Sequence, residues 1–269
     1  MAEVPEVEIL VRDMAALVGR SFVGATVLVP DTIRYPSAEA FADALAGREI
    51  LRAHRRAKYM LLDLSGGGLL AMHCSLHGTL RLMDAGAPPF ADAVLTMTLD
   101  DGRLLVFRDE MGYARAAAGP AGVVTEQLKL DELGPDLLDE TFEAAQLATI
   151  FAGRRGALKN LLINQRILAG LGNRDADESL WLAQIDPQRQ PRSLTDDEIG
   201  RLLPATRAVL AEGLDARGTM TDLWGVRGTA RHRRNVYGQY GAPCPRCGAK
   251  IARVKLGAQM TYFCPGCQR

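Results

Sequence analysis

Leu158-Lys-Asn-Leu-Leu-Ile-Asn-Gln-Arg-Ile-Leu-Ala-Gly-Leu-Gly-Asn-Arg-Asp-Ala-Asp-Glu-Ser-Leu-Trp181 is the stretch that decides the architecture. Gly170-Leu-Gly172-Asn173 interrupts helical periodicity, Ala176–Ala183 resumes it, and Ile185-Asp-Pro187 stops it, which predicts a helix, tight turns and a second helix. Glycines at the break let another surface approach the backbone. N–H groups at the fresh helix N-terminus are ready ligands for phosphate, as are the side chains of Asn173 and Lys159. Taken alone, the stretch also fits an ordinary helix-capping turn.

Downstream, Cys244-Pro-Arg-Cys247 and, sixteen residues on, Cys264-Pro-Gly-Cys267 have the spacing of two cysteine knuckles closing on one tetrahedral ion. Four thiolates with no open position suit one structural zinc. Ile251, Val254, Leu256, Tyr262 and Phe263 between the knuckles fit two strands of a hairpin that presents Arg253 and Lys255 to a partner. Cys74 stands alone, so metal and not disulfide is the expected use of the other cysteines.

Upstream, Val7, Leu10, Val11, Met14, Leu17 and Val18 keep helical spacing over Pro5–Val18, with proline near the first turn. From Ser21 to about Ala116 the apolar runs shorten to Tyr59–Leu64, Leu69–Cys74, Leu80–Met83, Val94–Leu99 and Leu104–Phe107, separated by turn signals such as Asp100-Asp101-Gly102. Gly119-Pro120-Ala121-Gly122 and the acidic stretch to Glu143 read as an exposed connection, and residues 142–218 as helices. The expected fold class is therefore α+β. An N-terminal antiparallel β-sandwich with a buried N-terminal helix takes residues 1–125, a helical domain 126–234 and a four-cysteine zinc-finger hairpin 235–269.

The net charge of zero hides a division along the chain. Residues 1–150 hold 13 Lys/Arg against 22 Asp/Glu, and residues 151–269 hold 19 against 10. From Trp224 to Arg269 there is no acidic residue, the footprint of a polyanion partner or, more blandly, a solvated basic face. No apolar run reaches the length of a membrane span, and Glu3, Glu6 and Glu8 argue against a secretory signal. A cytoplasmic monomer is expected, associated with the nucleoid if the source is bacterial.

In order along nearly the whole chain, these motifs resemble the formamidopyrimidine-DNA glycosylase / endonuclease VIII family. The central segment resembles its helix–two-turn–helix, and Asn235-Val-Tyr-Gly238 leading into the cysteine pairs resembles its zinc finger. Glu3-Val-Pro5-Glu6-Val7-Glu8 is similar to its opening motif, and Arg55-Arg-Ala-Lys58-Tyr to its lysine strand. His73-Cys-Ser-Leu76-His-Gly78-Thr-Leu-Arg81 resembles the loop that carries its first void-filling residue.

The resemblance implies extrusion of a damaged nucleotide and cleavage of its glycosidic bond, with an N-terminal proline amine attacking sugar C1′ and a neighbouring glutamate moving protons. Glu3 stands at the glutamate position, Ala2 at the proline position, and Lys58 is retained, so these three are the expected catalytic residues. If Met1 is removed, Ala2 offers a primary amine with a reference pKa of about 7.7–8.0, able to form an imine that, unlike a proline iminium, can lose its proton and with it its electrophilicity. If Met1 stays, Glu3 can at most activate water. Other positions depart from the family pattern. Gln259 falls where a phosphate-gripping arginine is usual, Met111 where an arginine reads the partner base, Tyr113 where a phenylalanine wedge is common, Leu76 at the first wedge, and Arg174-Asp175 replace Ile-Tyr. Together with Asn173, Lys159 and Arg253, the residues Gln259, Leu76, Met111 and Tyr113 form the expected DNA-binding set.

The expected function is a DNA repair glycosylase that binds damaged duplex, with single-stranded or adducted DNA as further substrates, altered lesion specificity and weak or absent AP-lyase activity. The alternative is a non-catalytic protein that binds damaged or structured DNA. A zinc-ribbon RNA-binding or scaffold protein would require the N-terminal resemblance to be accidental.

Overall fold

The computed structural model describes residues 2–88 and 90–269. By its contacts the chain divides into two compact units: residues up to Glu132 together with Arg217–Gly228, and Leu133–Ala216 together with Thr229–Arg269.

In the first unit, helix α1 (Val4–Met14) buries Val7, Leu10, Val11 and Met14 along one stripe, as their spacing predicts. It ends short of Val18 because Ala15–Leu17 tighten into a 3₁₀ turn. Nine strands follow: β1 (Phe22–Val27), β2 (Ile33–Tyr35), β3 (Ile50–Arg56), β4 (Tyr59–Leu64), β5 (Gly68–His73), β6 (Thr79–Met83), β7 (Ala93–Leu99), β8 (Leu104–Arg108) and β9 (Arg115–Pro120). A short helix α2 (Phe41–Leu45) lies between β2 and β3, and α3 (Ala121–Leu128) follows β9. They build two sheets, β1-β7-β8-β6 and β2-β9-β5-β4-β3. Leu95, Met97, Leu105 and Phe107 of the first sheet share one buried core with Leu62, Leu64 and Met72 of the second, and with Leu10 and Met14 of α1.

The five expected strand runs are present to within about one residue at each end. Two features differ from expectation. Strand β2 pairs parallel to β9 (Ile33↔Ala116, Tyr35↔Ala117); the two are so far apart in sequence that no hairpin dictates their direction. Gly119-Pro120-Ala121-Gly122 is not an irregular linker but the junction of β9 with α3: Pro120 and Gly122 are exposed, as expected of a connection, whereas Gly119 is buried near the end of β9 and Val124 of α3 is fully buried. At φ +148° with the Tyr35 ring 2.8 Å from where a Cβ would stand, residue 119 has to be glycine.

The second unit contains α4 (Ala144–Phe151), α5 (Leu158–Leu162), α6 (Asn173–Ala183) and α7 (Asp196–Asp215), then the hairpin β10 (Ala252–Leu256) and β11 (Gln259–Phe263). Helix α6 buries Arg174, Asp175, Asp177 and Glu178 in its first turns. Burying charge is costly without partners, and several of the partners here are backbone N–H groups of the module that follows. Glu178 accepts backbone N–H groups from Asn235 (3.1 Å), Val236 (2.9 Å) and Tyr237 (2.8 Å), while Asp177 accepts that of Tyr262 (2.9 Å). Among the described residues no helix is long and apolar enough to cross a membrane.

Candidate functional site

In the first unit, Ala2 and Glu3 are buried at the head of α1, where Pro5 starts the helix without a wasted N–H. Glu6 holds this end in place. Its Oε2 accepts the Glu3 N–H (2.9 Å), and its Oε1 accepts both the N–H (2.8 Å) and the hydroxyl (2.9 Å) of Thr219. Thr219 belongs to the segment that returns to this unit from far along the chain. Asp222 shapes that segment by accepting N–H groups from Trp224 (3.0 Å) and Val226 (2.8 Å) and the Arg217 guanidinium (2.6 Å). A small cavity is lined by Ala2, Glu6, Gly78, Thr79, Arg217 and Thr221.

Lys58 is half-buried in the two-residue turn between β3 and β4, where Ala57 takes a left-handed conformation (φ 51°). Leu76, Met111 and Tyr113 are 37, 50 and 44 % exposed, so none of them is a core residue. Each projects from a loop fixed by a polar side chain, the buried Asp109 or the half-buried His73. Asp109 accepts N–H groups from Met111 (3.0 Å) and Ala114 (2.6 Å), and His73 accepts that of Ser75 (3.1 Å). Burial pushes the Cys74 thiol up to about 12, with the carboxylates of Asp109 and Glu6 adding to it, so Cys74 is a packing residue and not a nucleophile.

In the second unit, Asn173 opens α6 and donates from Nδ2 to the Met260 carbonyl (3.2 Å), tying the helix start to the hairpin. Gln259 is the first residue of β11, directly after a turn in which Gly257 lies against Asn160. Arg253 is exposed on β10 with its guanidinium 4.3 Å from the Tyr240 ring, a cation–π contact. Arg174 is buried and donates from Nε to Asp175 (2.8 Å). With Glu178, Arg233 and Arg234 the pair lines a second cavity.

Lys159 corrects the sequence reading. Its side chain is wholly buried and its ammonium is paired with Asp177, so it faces no phosphate. Burial pushes the Asp177 carboxyl up to about 7, against the pull of Lys159 and of the Tyr262 N–H. Removing one partner from such a pair strands the other, at about 3–5 kcal/mol. Lys159→Met is therefore expected to lower the melting temperature of the protein markedly. Unchanged melting with weaker DNA binding would instead restore the phosphate role.

The four zinc-spaced cysteines converge, all Sγ atoms lying within 4.8 Å of one another. Cys244–Cys267 (3.8 Å) and Cys247–Cys264 (3.5 Å) approximate the edge of about 3.8 Å that tetrahedral zinc requires at about 2.3 Å from each sulfur. A Cβ on Gly266 would stand 3.1 Å from Cys247 Sγ, so the glycine leaves the sulfurs their room. The Trp181 indole N–H of α6 donates to Cys244 Sγ (3.5 Å), and Arg246 covers the same ring at 4.2 Å. These donors fit one structural zinc, which would stabilise the knuckles without taking part in chemistry. Trp181, Glu6, His73 and Asp109 were not singled out by their sequence. Of these only Glu6 carries a local signal, an acid three residues after Glu3 at a helix start.

Comparison with known proteins agrees with this arrangement. The profile described as formamidopyrimidine-DNA glycosylase N-terminal domain matches residues 1–116, that of its H2TH domain residues 133–223, and that of the zinc finger found in FPG and IleRS residues 241–269. Among similar relatives, the formamidopyrimidine-DNA glycosylases of Pelotomaculum thermopropionicum and of a Roseiflexus species are each 38 % identical, covering all of this chain and 99 and 100 % of theirs. Among solved structures, a complex of Lactococcus lactis Fpg with DNA containing an abasic site has a TM-score of 0.91 at 28 % identity, and another with N7-benzyl-Fapy-dG DNA has 0.91 at 27 %, each covering the whole of both chains. Matched along its length in sequence and fold, with one structural zinc site in its finger, the chain belongs to the formamidopyrimidine-DNA glycosylase family of DNA-repair proteins.

Proposed function

We propose that this chain excises a modified base from DNA, using the Ala2 amine after loss of Met1 as nucleophile and Glu3 for proton transfer, with AP-lyase activity weaker than a proline-headed relative. Met1 itself lies outside the described residues. The observation that carries the reading is the buried head of α1, where Glu6 holds the Glu3 backbone and the Thr219 strap beside a cavity lined by Ala2.

Binding falls to Lys58 and to the basic second unit, with Asn173, Gln259 and Arg253 toward the backbone and Leu76, Met111 and Tyr113 toward the base stack. Met111 offers no hydrogen-bond fork to a partner base, so discrimination of an opposite cytosine is absent. The Lactococcus lactis Fpg complex with N7-benzyl-Fapy-dG DNA supports a bulky lesion as a substrate class. The second reading, damaged-DNA binding without bond cleavage, rests on Ala2 and Gln259.

The test is single-turnover incubation with duplexes carrying oxidised, alkylated or bulky bases, with the free base detected by mass. Release of at least one lesion base regardless of the opposite base is expected. Tight binding with no release from any of them would establish the second reading.

A further inference from the structure

The turn from Cys74 to Gly78 lifts Leu76 into solvent. Ser75, just before it, sits at φ +51°, in the left-handed region that residues with a Cβ avoid. Serine alone would leave this conformation, since the handedness preference is on the order of tenfold. What holds it is His73. Its Nδ1 accepts the Ser75 backbone N–H (3.1 Å) and lies 3.0 Å from the Ser75 hydroxyl oxygen. A ring nitrogen that accepts a backbone N–H is unprotonated, so the imidazole proton is on Nε2. Burial, with Lys58 and Arg115 nearby, lowers the His73 pKa to about 4 and keeps the ring neutral. The Tyr59 ring, centred 4.7 Å away, fixes its plane. At the other end Gly78 donates to the Cys74 carbonyl (2.8 Å), and a Cβ there would come within 2.6 Å of that oxygen.

The geometry points to His73 as the positioning residue of nucleotide extrusion: its neutral imidazole locks Ser75 in the left-handed conformation, holding Leu76 poised to enter the base stack behind the displaced nucleotide. The inference rests on the reading of Leu76 as the residue that fills the void. A loop set in advance loses no conformational freedom at insertion, and that freedom would otherwise oppose opening of the duplex.

The test uses His73→Phe, which keeps an aromatic ring against Tyr59 and removes the acceptor, and Ser75→Gly, which removes the strain. Two readouts are taken: fluorescence of 2-aminopurine placed beside a lesion, reporting unstacking on binding, and single-turnover base release. His73→Phe is expected to lower both by about tenfold, the size of the conformational preference it unmasks. Adding Ser75→Gly should recover most of each loss, because glycine adopts the turn unaided. Adding Leu76→Ala to the double variant should abolish the recovery. A His73→Phe protein as active as the parent, or a defect that Ser75→Gly leaves untouched in a protein with parental melting temperature, would overturn the assignment. If the parent releases no base from any lesion, the glycosylase reading fails, and the 2-aminopurine signal alone still decides the role of His73.

Discussion

Replacing Glu3 with glutamine is expected to lower single-turnover base release by about 100-fold or more while changing duplex affinity less than about threefold. Glutamine keeps the length of the side chain and can still accept a hydrogen bond, so the buried head of α1 should persist. What it cannot do is exchange a proton with the departing base or the sugar. Glu3 is almost fully buried, and Glu6 grips its backbone. Its position is therefore set by the fold and should not shift in the variant. Base release and affinity measured on the same preparation check this. Parallel loss of both would mean that the substitution had damaged the fold or a DNA contact, and unchanged release would remove Glu3 from the chemistry.

Stripping zinc, by chelation or by Cys244→Ser, is expected to lower duplex affinity by about 100-fold or more, because binding of a structural zinc supplies the folding free energy of its module. The finger has little apolar core of its own. Its buried cluster consists of Val236, Ile251 and three of the cysteines, completed by Trp181 from α6. Without the ion, the anchors of the hairpin on α6 lose their rigid partner: Tyr262 N–H on Asp177, and the Met260 carbonyl under Asn173. Loss of zinc should thus be felt at the helix start as well as in the hairpin. Metal content, melting and affinity measured together give the result, and full affinity in a zinc-free preparation would contradict it.

Much of the first unit was legible because its apolar runs are short and bounded by turn residues, so Tyr59–Leu64 and Val94–Leu99 announce strands without help from the fold. Strand β9 was not legible. Ala116, Ala117 and Ala118 lack β-branched side chains, and only close packing in the middle of a sheet makes a strand of them. The cysteine knuckles were readable from spacing alone, since a metal needs its ligands at fixed separations.

Side-chain partnerships across long sequence gaps were the hidden part. Lys159 beside a helix N-terminus has the look of a phosphate ligand, and only the fold brings Asp177 to it. The buried acids of α6 look in sequence like a solvated face, because their partners are backbone N–H groups of residues 235–237 and 262. The return of Arg217–Gly228 to the first unit leaves no periodic trace, although it supplies Thr219 to Glu6 beside the proposed nucleophile.

The central claim is that the Ala2 amine can attack an abasic sugar. The most direct measurement is borohydride trapping on abasic-site DNA with a preparation whose intact mass shows Met1 removed, followed by peptide mapping of the adduct. The account predicts a covalent complex mapped to Ala2, forming more slowly than in an Ala2→Pro variant, since the proline iminium cannot lose its charge. A trimmed protein that binds the abasic DNA tightly yet yields no adduct, or an adduct mapped to Lys58 or another lysine, would contradict it.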